Sequence, residues 1–96
     1  FQAKPGASAG VVARMKEFQP IFEKHGGPVC RIYTDQLSGH TDRVVWEFEI
    51  ENLTALENLF WAASQNADYV KAYEEWYQSL TPLIEGATVE LWNREM

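Results

Sequence analysis

Hydrophobic and polar residues alternate strictly along residues 43–51. Apolar side chains fall on one side of this alternation and mainly carboxylates on the other: Val44, Trp46, Phe48 and Ile50 against Val45, Glu47, Glu49 and Glu51. A period of two residues is typical of a β-strand that packs one face against apolar groups. The segment therefore predicts a half-buried strand whose opposite face is acidic.

Three further segments predict strands. Residues 1–4 have the composition of a strand end, which Pro5-Gly6 terminates. Residues 29–35 form a second strand, and residues 87–94, where Val89 and Leu91 oppose Glu90 and Trp92, form the last one. The full extent of the first strand stays open, since the chain begins at Phe1 rather than at a methionine.

Apolar residues recur at helical spacing in three other segments. In the first, Ser8 can cap the helix, Pro20 predicts a kink, and Gly26-Gly27 predicts the end. Asn52 can cap the second helix, and residues 64–68 separate it from the third. The predicted apolar stripes are Val11, Met15, Phe18 and Phe22; Leu53, Leu56, Phe60 and Ala63; and Val70, Tyr73, Tyr77 and Leu80.

The element order is therefore β-α-β-β-α-α-β, which is the split βαβ pattern of ferredoxin-like domains. We expect an α+β fold, βαββαβ in outline, with a four-stranded antiparallel sheet and the helices on one face. The 96 residues suffice for one compact domain, so residues 1–96 are expected to form a single unit. The other face of the sheet would be left bare.

Charge and composition exclude several classes of partner. Asp and Glu number 14 against eight Lys and Arg, and this balance disfavours nucleic acid and anionic lipid. No apolar run approaches the ~18–20 residues of a membrane span, and no secretion signal is visible, so we expect a soluble cytoplasmic protein. Cys30, the only cysteine, is expected to be a small core residue. His40 lies near Asp35 and Asp42 without a recognised ligand spacing, so the sequence predicts neither metal nor cofactor.

Several local motifs resemble those of the dimeric α/β-barrel superfamily, and most of all its NIPSNAP-like branch. They are Glu23-Lys24-His25-Gly26-Gly27 after helix one, the Ser38-Gly39 loop, Val44-Val45-Trp46-Glu47-Phe48, and Asp68-Tyr69 opening a helix that leads to Leu83-Ile84-Glu85-Gly86. The resemblance implies that two ferredoxin-like subunits press their bare sheet faces together into a barrel. It also implies a range of functions, since the superfamily includes cofactor-independent monooxygenases, haem-degrading enzymes, isomerases and ligand-binding domains. Haem chemistry is disfavoured, because no histidine follows His40.

The bare face holds the candidate site. Antiparallel pairing around the 36–42 loop places Arg31 opposite Glu47 or, in a register shifted by two, opposite Glu49. A second subunit would enclose these carboxylates, and like charges in a dry space raise a pKa enough to make one of them a general base. We therefore assign Glu47 and Glu49 as candidate catalytic residues. The candidate substrate-binding residues are Arg31, Tyr33, Glu90 and Trp92.

The expected function is a homodimeric small-molecule-binding domain with a cavity between the sheet and its partner. One alternative is a cofactor-independent monooxygenase or isomerase acting on a small aromatic or enolisable substrate. The other is a non-catalytic assembly module, in which the same charges form an ion-pair network at a wet interface. The sequence leaves open whether the protein is an enzyme.

Overall fold

The computed structural model describes residues 1–37 and 39–95 of the chain, and this part folds as an α+β domain. Three α-helices, one 3₁₀ turn and four short strands follow one another along it. Their bounds are β1 Gln2–Ala3, α1 Ser8–Lys24, β2 Cys30–Thr34, β3 Val44–Phe48, α2 Leu53–Ser64, α3 Ala67–Leu80, the 3₁₀ turn Thr81–Leu83, and β4 Ile84–Gly86.

The strands form two separate two-stranded antiparallel sheets, so the predicted four-stranded sheet and the α/β barrel built from it are wrong. β2 pairs with β3, and β1 pairs with β4. Between the two sheets, one isolated bridge joins Gln2 to Arg43 in the described residues. Backbone hydrogen bonds flank it, from the Ala3 N–H to the Asp42 carbonyl oxygen at 2.8 Å and between Phe1 and Val44 at 2.7 and 2.9 Å. The physical reason is the length of β1: it has two residues and a register shift, which is too little backbone to carry a continuous ladder from β4 to β3.

The predicted last strand over residues 87–94 is also wrong. β4 covers Ile84–Gly86 instead, and residues 87–95 adopt neither helix nor strand. Alternation of apolar and polar residues supplies two different faces, but a strand also needs a neighbour for its N–H and C=O groups. β1 pairs with β4 only as far as Gly86, so the segment that follows has no ladder to extend.

Helix α1 confirms its predicted stripe, because Val11, Met15, Phe18 and Phe22 are all buried. The helix packs on β2 and β3 and also contacts α3. Pro20 lies inside it without ending it. The helix ends just before Gly26 and Gly27: Gly26 has a φ of 92°, and a Cβ on Gly27 would lie 2.5 Å from Cε2 of the buried Phe22 ring. Gly27 is therefore required by close packing, and Gly26 by its backbone conformation.

The core is a cluster of aromatic and aliphatic side chains between α1, α3 and β3, with Phe18 at its centre. The Phe18 ring stacks on Trp76 at 4.6 Å between centroids and meets Trp46, Tyr69 and Tyr73 edge-on at 5.8–6.1 Å. Trp76 also donates a hydrogen bond of 2.9 Å to the Arg14 carbonyl oxygen. Cys30 is buried at the edge of this cluster, as predicted, and burial raises the pKa of its thiol.

Helix α2 begins at Leu53, directly after the predicted cap Asn52, whereas α3 begins at Ala67, inside the interruption predicted for residues 64–68. Neither helix buries all of its predicted stripe. Asn52 caps α2 through a bond from the Ala55 N–H (2.8 Å), and Asn66 caps α3 through a bond from the Tyr69 N–H (3.0 Å). The predicted stripes are wrong in detail, because α2 buries only Ala63 and α3 buries Trp76 and Leu80 while leaving Tyr73 and Tyr77 half-exposed. Each of these two helices packs on the core through a narrow strip. Aromatic side chains are therefore left exposed on both helices, namely Phe60, Trp61, Tyr73 and Tyr77.

None of the helices in the described residues combines the length and the apolar character needed to cross a lipid bilayer.

Candidate functional site on the outer face of β2 and β3

The candidate site lies on the side of the β2–β3 sheet that faces away from α1, here called the outer face. Five side chains on it come from alternate positions of the two strands and the residue that follows β3: Arg31, Tyr33, Val45, Glu47 and Glu49. The inner face carries Cys30, Ile32, Val44, Trp46 and Phe48, which pack in or against the core. The alternation predicted from the sequence is thus what separates the site from the core.

The register of the sheet is the first of the two predicted alternatives. Arg31 lies opposite Glu47, and Tyr33 lies opposite Val45. The Arg31 side chain nevertheless reaches both carboxylates: its Nη1 donates to Glu47 Oε1 at 3.1 Å and to Glu49 Oε1 at 3.5 Å. The pKa of Arg31 is raised above its ordinary value by electrostatic interaction, most strongly with Glu49 and then with Tyr33 and Glu47.

A second arginine joins this network from the C-terminal segment. Arg94 Nη1 donates to the same Oε1 atom of Glu49 at 2.8 Å. The ion-pair cluster therefore contains two arginines and two glutamates, and we call these four side chains, Arg31, Arg94, Glu47 and Glu49, the charge cluster. Their side chains are between 43% and 68% exposed, so in one subunit these pairs contribute little to stability.

This geometry bears directly on the candidate general base. Glu47 and Glu49 each contact a guanidinium group and remain in water, so a single subunit gives neither of them the dry, unpaired surroundings that a general base of this kind requires. Arg31 is likewise engaged by two carboxylates, and an anionic ligand would have to compete with both of them. The arrangement suits charge pairing better than proton transfer.

The remaining predicted site residues are not brought to the outer face by a strand. Glu90 and Trp92 lie in residues 87–95, where the Trp92 indole N–H donates to the Glu90 carboxylate at 3.2 Å. Trp92 is 82% exposed, and Val89 and Leu91 beside it are also exposed. Arg94 was missed as a candidate residue, although its position two residues beyond Trp92 in the alternation placed it on the same predicted face.

A shallow groove of about 320 Å³ runs along one end of the outer face. It is lined by Pro28, Val29, Arg31, Phe48 and Glu49. Two predicted site residues, Arg31 and Glu49, are thus in its wall, whereas Tyr33 and Trp92 are not. Over residues 1–37 and 39–95 the structure contains no group of three or more His, Cys, Asp or Glu side chains that could hold a metal ion.

Comparison with protein-family models, with curated proteins and with solved structures finds no match to this chain in any of the three. The resemblance to the NIPSNAP-like branch therefore remains a prediction from the local motifs. The exposure and charge of the outer face are therefore the basis for the function proposed below.

Proposed function

We propose that the protein is a homodimeric assembly module in which a second copy of the chain covers the outer face of β2 and β3. The observation that carries this proposal is the composition of that face: apolar Tyr33 and Val45 are 46% and 42% exposed beside a charge cluster of equal positive and negative charge. The face thus has an apolar pair at the end near residues 35–43 and charged groups beside it, and protein interfaces likewise combine apolar and polar groups.

Charge favours a second copy of the same chain as the occupant. The whole chain carries a net charge of −6, so two copies repel each other over most orientations. The charge cluster is locally balanced, and a twofold axis through it would place arginines of one subunit against glutamates of the other. Such a self-complementary patch meets the requirement of an isologous interface, in which the same residues serve on both sides.

The small size of the domain is a second reason to expect a dimer. A domain of 96 residues buries only roughly 60–70% of the surface that its unfolded chain exposes, less than a larger domain does. Here the exposed apolar residues include Val29, Val89, Leu91 and Trp92 in addition to the outer face. Covering part of this surface by a partner stabilises both subunits. Small-molecule binding in a cavity closed by the partner, and any catalysis by Glu47 or Glu49, remain predictions from the sequence that depend on this dimer.

Replacing Tyr33 by serine tests the proposal. We expect Tyr33→Ser to weaken dimerisation by about tenfold, because tyrosine is enriched among the interface residues whose truncation costs more than ~1 kcal/mol. Sedimentation velocity over a range of protein concentrations measures the effect. Tyr77→Ser is the matched control, since Tyr77 is also 46% exposed but lies on α3.

The proposal is wrong if the wild-type chain sediments as a monomer at every concentration. It is also wrong if Tyr77→Ser weakens the dimer as much as Tyr33→Ser does.

A further inference from the structure

A second groove, on the helical layer, is independent of the outer face. It has a volume of about 370 Å³, within the range of small-molecule sites, and lies between α2 and α3. Its lining is Phe60, Ala63, Ser64, Tyr69, Val70, Tyr73 and Glu74. The groove thus combines three aromatic rings, a short apolar base and one carboxylate.

The aromatic wall is held in place from the core side. Tyr69 and Tyr73 are one helical turn apart, with ring centroids 6.5 Å apart and ring planes inclined by 21°. The buried Phe18 ring contacts both of them. Phe60 faces them from α2 and is itself 53% exposed. Tyr69 and Tyr73 are therefore already held in position by the core before a ligand arrives.

Charge determines which ligand this surface recognises. An aromatic ring carries negative electrostatic potential on its face and attracts a cation placed over it, most strongly where water is partly excluded. Glu74 adds a formal negative charge to the same groove. The net charge of −6 on the chain favours the approach of cations and disfavours anions.

We propose that the groove between α2 and α3 binds a small organic cation of the quaternary ammonium type. The methyl groups of such a cation contact Phe60 and Tyr73, and its positive charge lies near Glu74. A tyrosine is ordinarily neutral at physiological pH, and burial, followed by the neighbouring Tyr73, raises the pKa of Tyr69 further. A quaternary ammonium ion is more weakly hydrated than one with N–H groups, so it loses less free energy when it leaves water to lie against the rings.

The test is a titration of the full chain with choline, followed by the shift of the trimethylammonium NMR signal. Its neutral isostere 3,3-dimethylbutan-1-ol has the same shape without the charge and serves as the ligand control. We expect choline to bind at least about fivefold more tightly than the isostere, since each cation–π contact at an exposed site contributes ~0.5–1 kcal/mol. Phe60→Leu, which retains an apolar wall but removes the ring, should lower choline affinity by about threefold to fivefold and leave the isostere unaffected.

Two neighbouring residues provide matched protein controls. Trp61 is exposed but does not line the groove, and Glu75 lies next to Glu74 on the helix without lining it. Trp61→Leu and Glu75→Gln should change choline affinity by less than about twofold, whereas Glu74→Gln should lower it by about threefold. The proposal is overturned if choline fails to bind, if it binds no better than the isostere, or if the control variants lose as much affinity as Phe60→Leu and Glu74→Gln.

Discussion

Phe18→Ala is expected to lower the free energy of unfolding by about 3–5 kcal/mol, which is a large part of the total stability of a small domain. Phe18 is 1% exposed, and its ring contacts Trp46, Trp76 and two tyrosines of α3. Removing the ring leaves a cavity that α1, α3 and β3 all line. The surrounding rings are also fixed by contacts with one another, Phe22 with Trp46 and Trp46 with Trp76, so they cannot move together to refill the space.

Urea unfolding followed by tryptophan fluorescence measures this loss, and Phe60→Ala is the matched control. Phe60 is on α2 and half-exposed, so its truncation should cost about 0.5 kcal/mol or less. Equal losses in the two variants, or a loss below about 1 kcal/mol for Phe18→Ala, would show that the core is not organised around Phe18.

Arg31→Glu is expected to raise the dimer dissociation constant by about two orders of magnitude or more, since disrupting an interfacial charge pair commonly costs 2–5 kcal/mol. The change places three carboxylates together on the outer face and removes the cation that contacts both Glu47 and Glu49. In the dimer, the same change occurs on both sides of the twofold axis, so each dimer loses the interaction at two positions. Sedimentation equilibrium measures the dimer dissociation constants of the wild type and of Arg31→Glu.

Lys16→Glu separates this local effect from the change in net charge. Lys16 is exposed on α1, and its replacement alters the charge of the chain by the same amount. We expect the control to dimerise within about threefold of the wild type, because exposed charges away from the interface are screened. The double variant Arg31→Glu with Glu47→Arg should recover much of the affinity. Dimerisation unaffected by Arg31→Glu would contradict a role for the charge cluster in assembly.

The parts of the fold that the sequence predicts well are those controlled by local periodicity. Residues 43–51 alternate, and Val44, Trp46 and Phe48 do pack inward from β3. The register places Arg31 opposite Glu47, which is one of the two predicted alternatives. The spacing of the apolar residues in α1 likewise identifies the four positions that are buried. In both cases the physical cause, one face against the core, acts on neighbouring residues.

The errors concern contacts between distant segments. The alternation of residues 87–94 is that of a strand, yet no periodicity reveals whether β1 is long enough to pair with it. On α3, the apolar stripe drawn through Tyr77 instead runs through Trp76, because the larger ring stacks on Phe18 and accounts for the orientation of the helix. The candidate site was affected in the same way: Arg31, Glu47 and Glu49 meet as predicted, while Glu90 and Trp92 depend on the strand that does not form.

Intermolecular nuclear Overhauser effects in a mixed dimer provide the most direct measurement. One subunit carries ¹³C-labelled valine methyl groups and the other is unlabelled, so an isotope-filtered spectrum detects only contacts between subunits. Coverage of the outer face by a second copy predicts strong effects from the Val45 methyl groups to protons of the unlabelled subunit, and none from Val70 in the helical groove. Effects from Val70 without any from Val45, or the absence of intersubunit effects at concentrations where sedimentation detects a dimer, would contradict it.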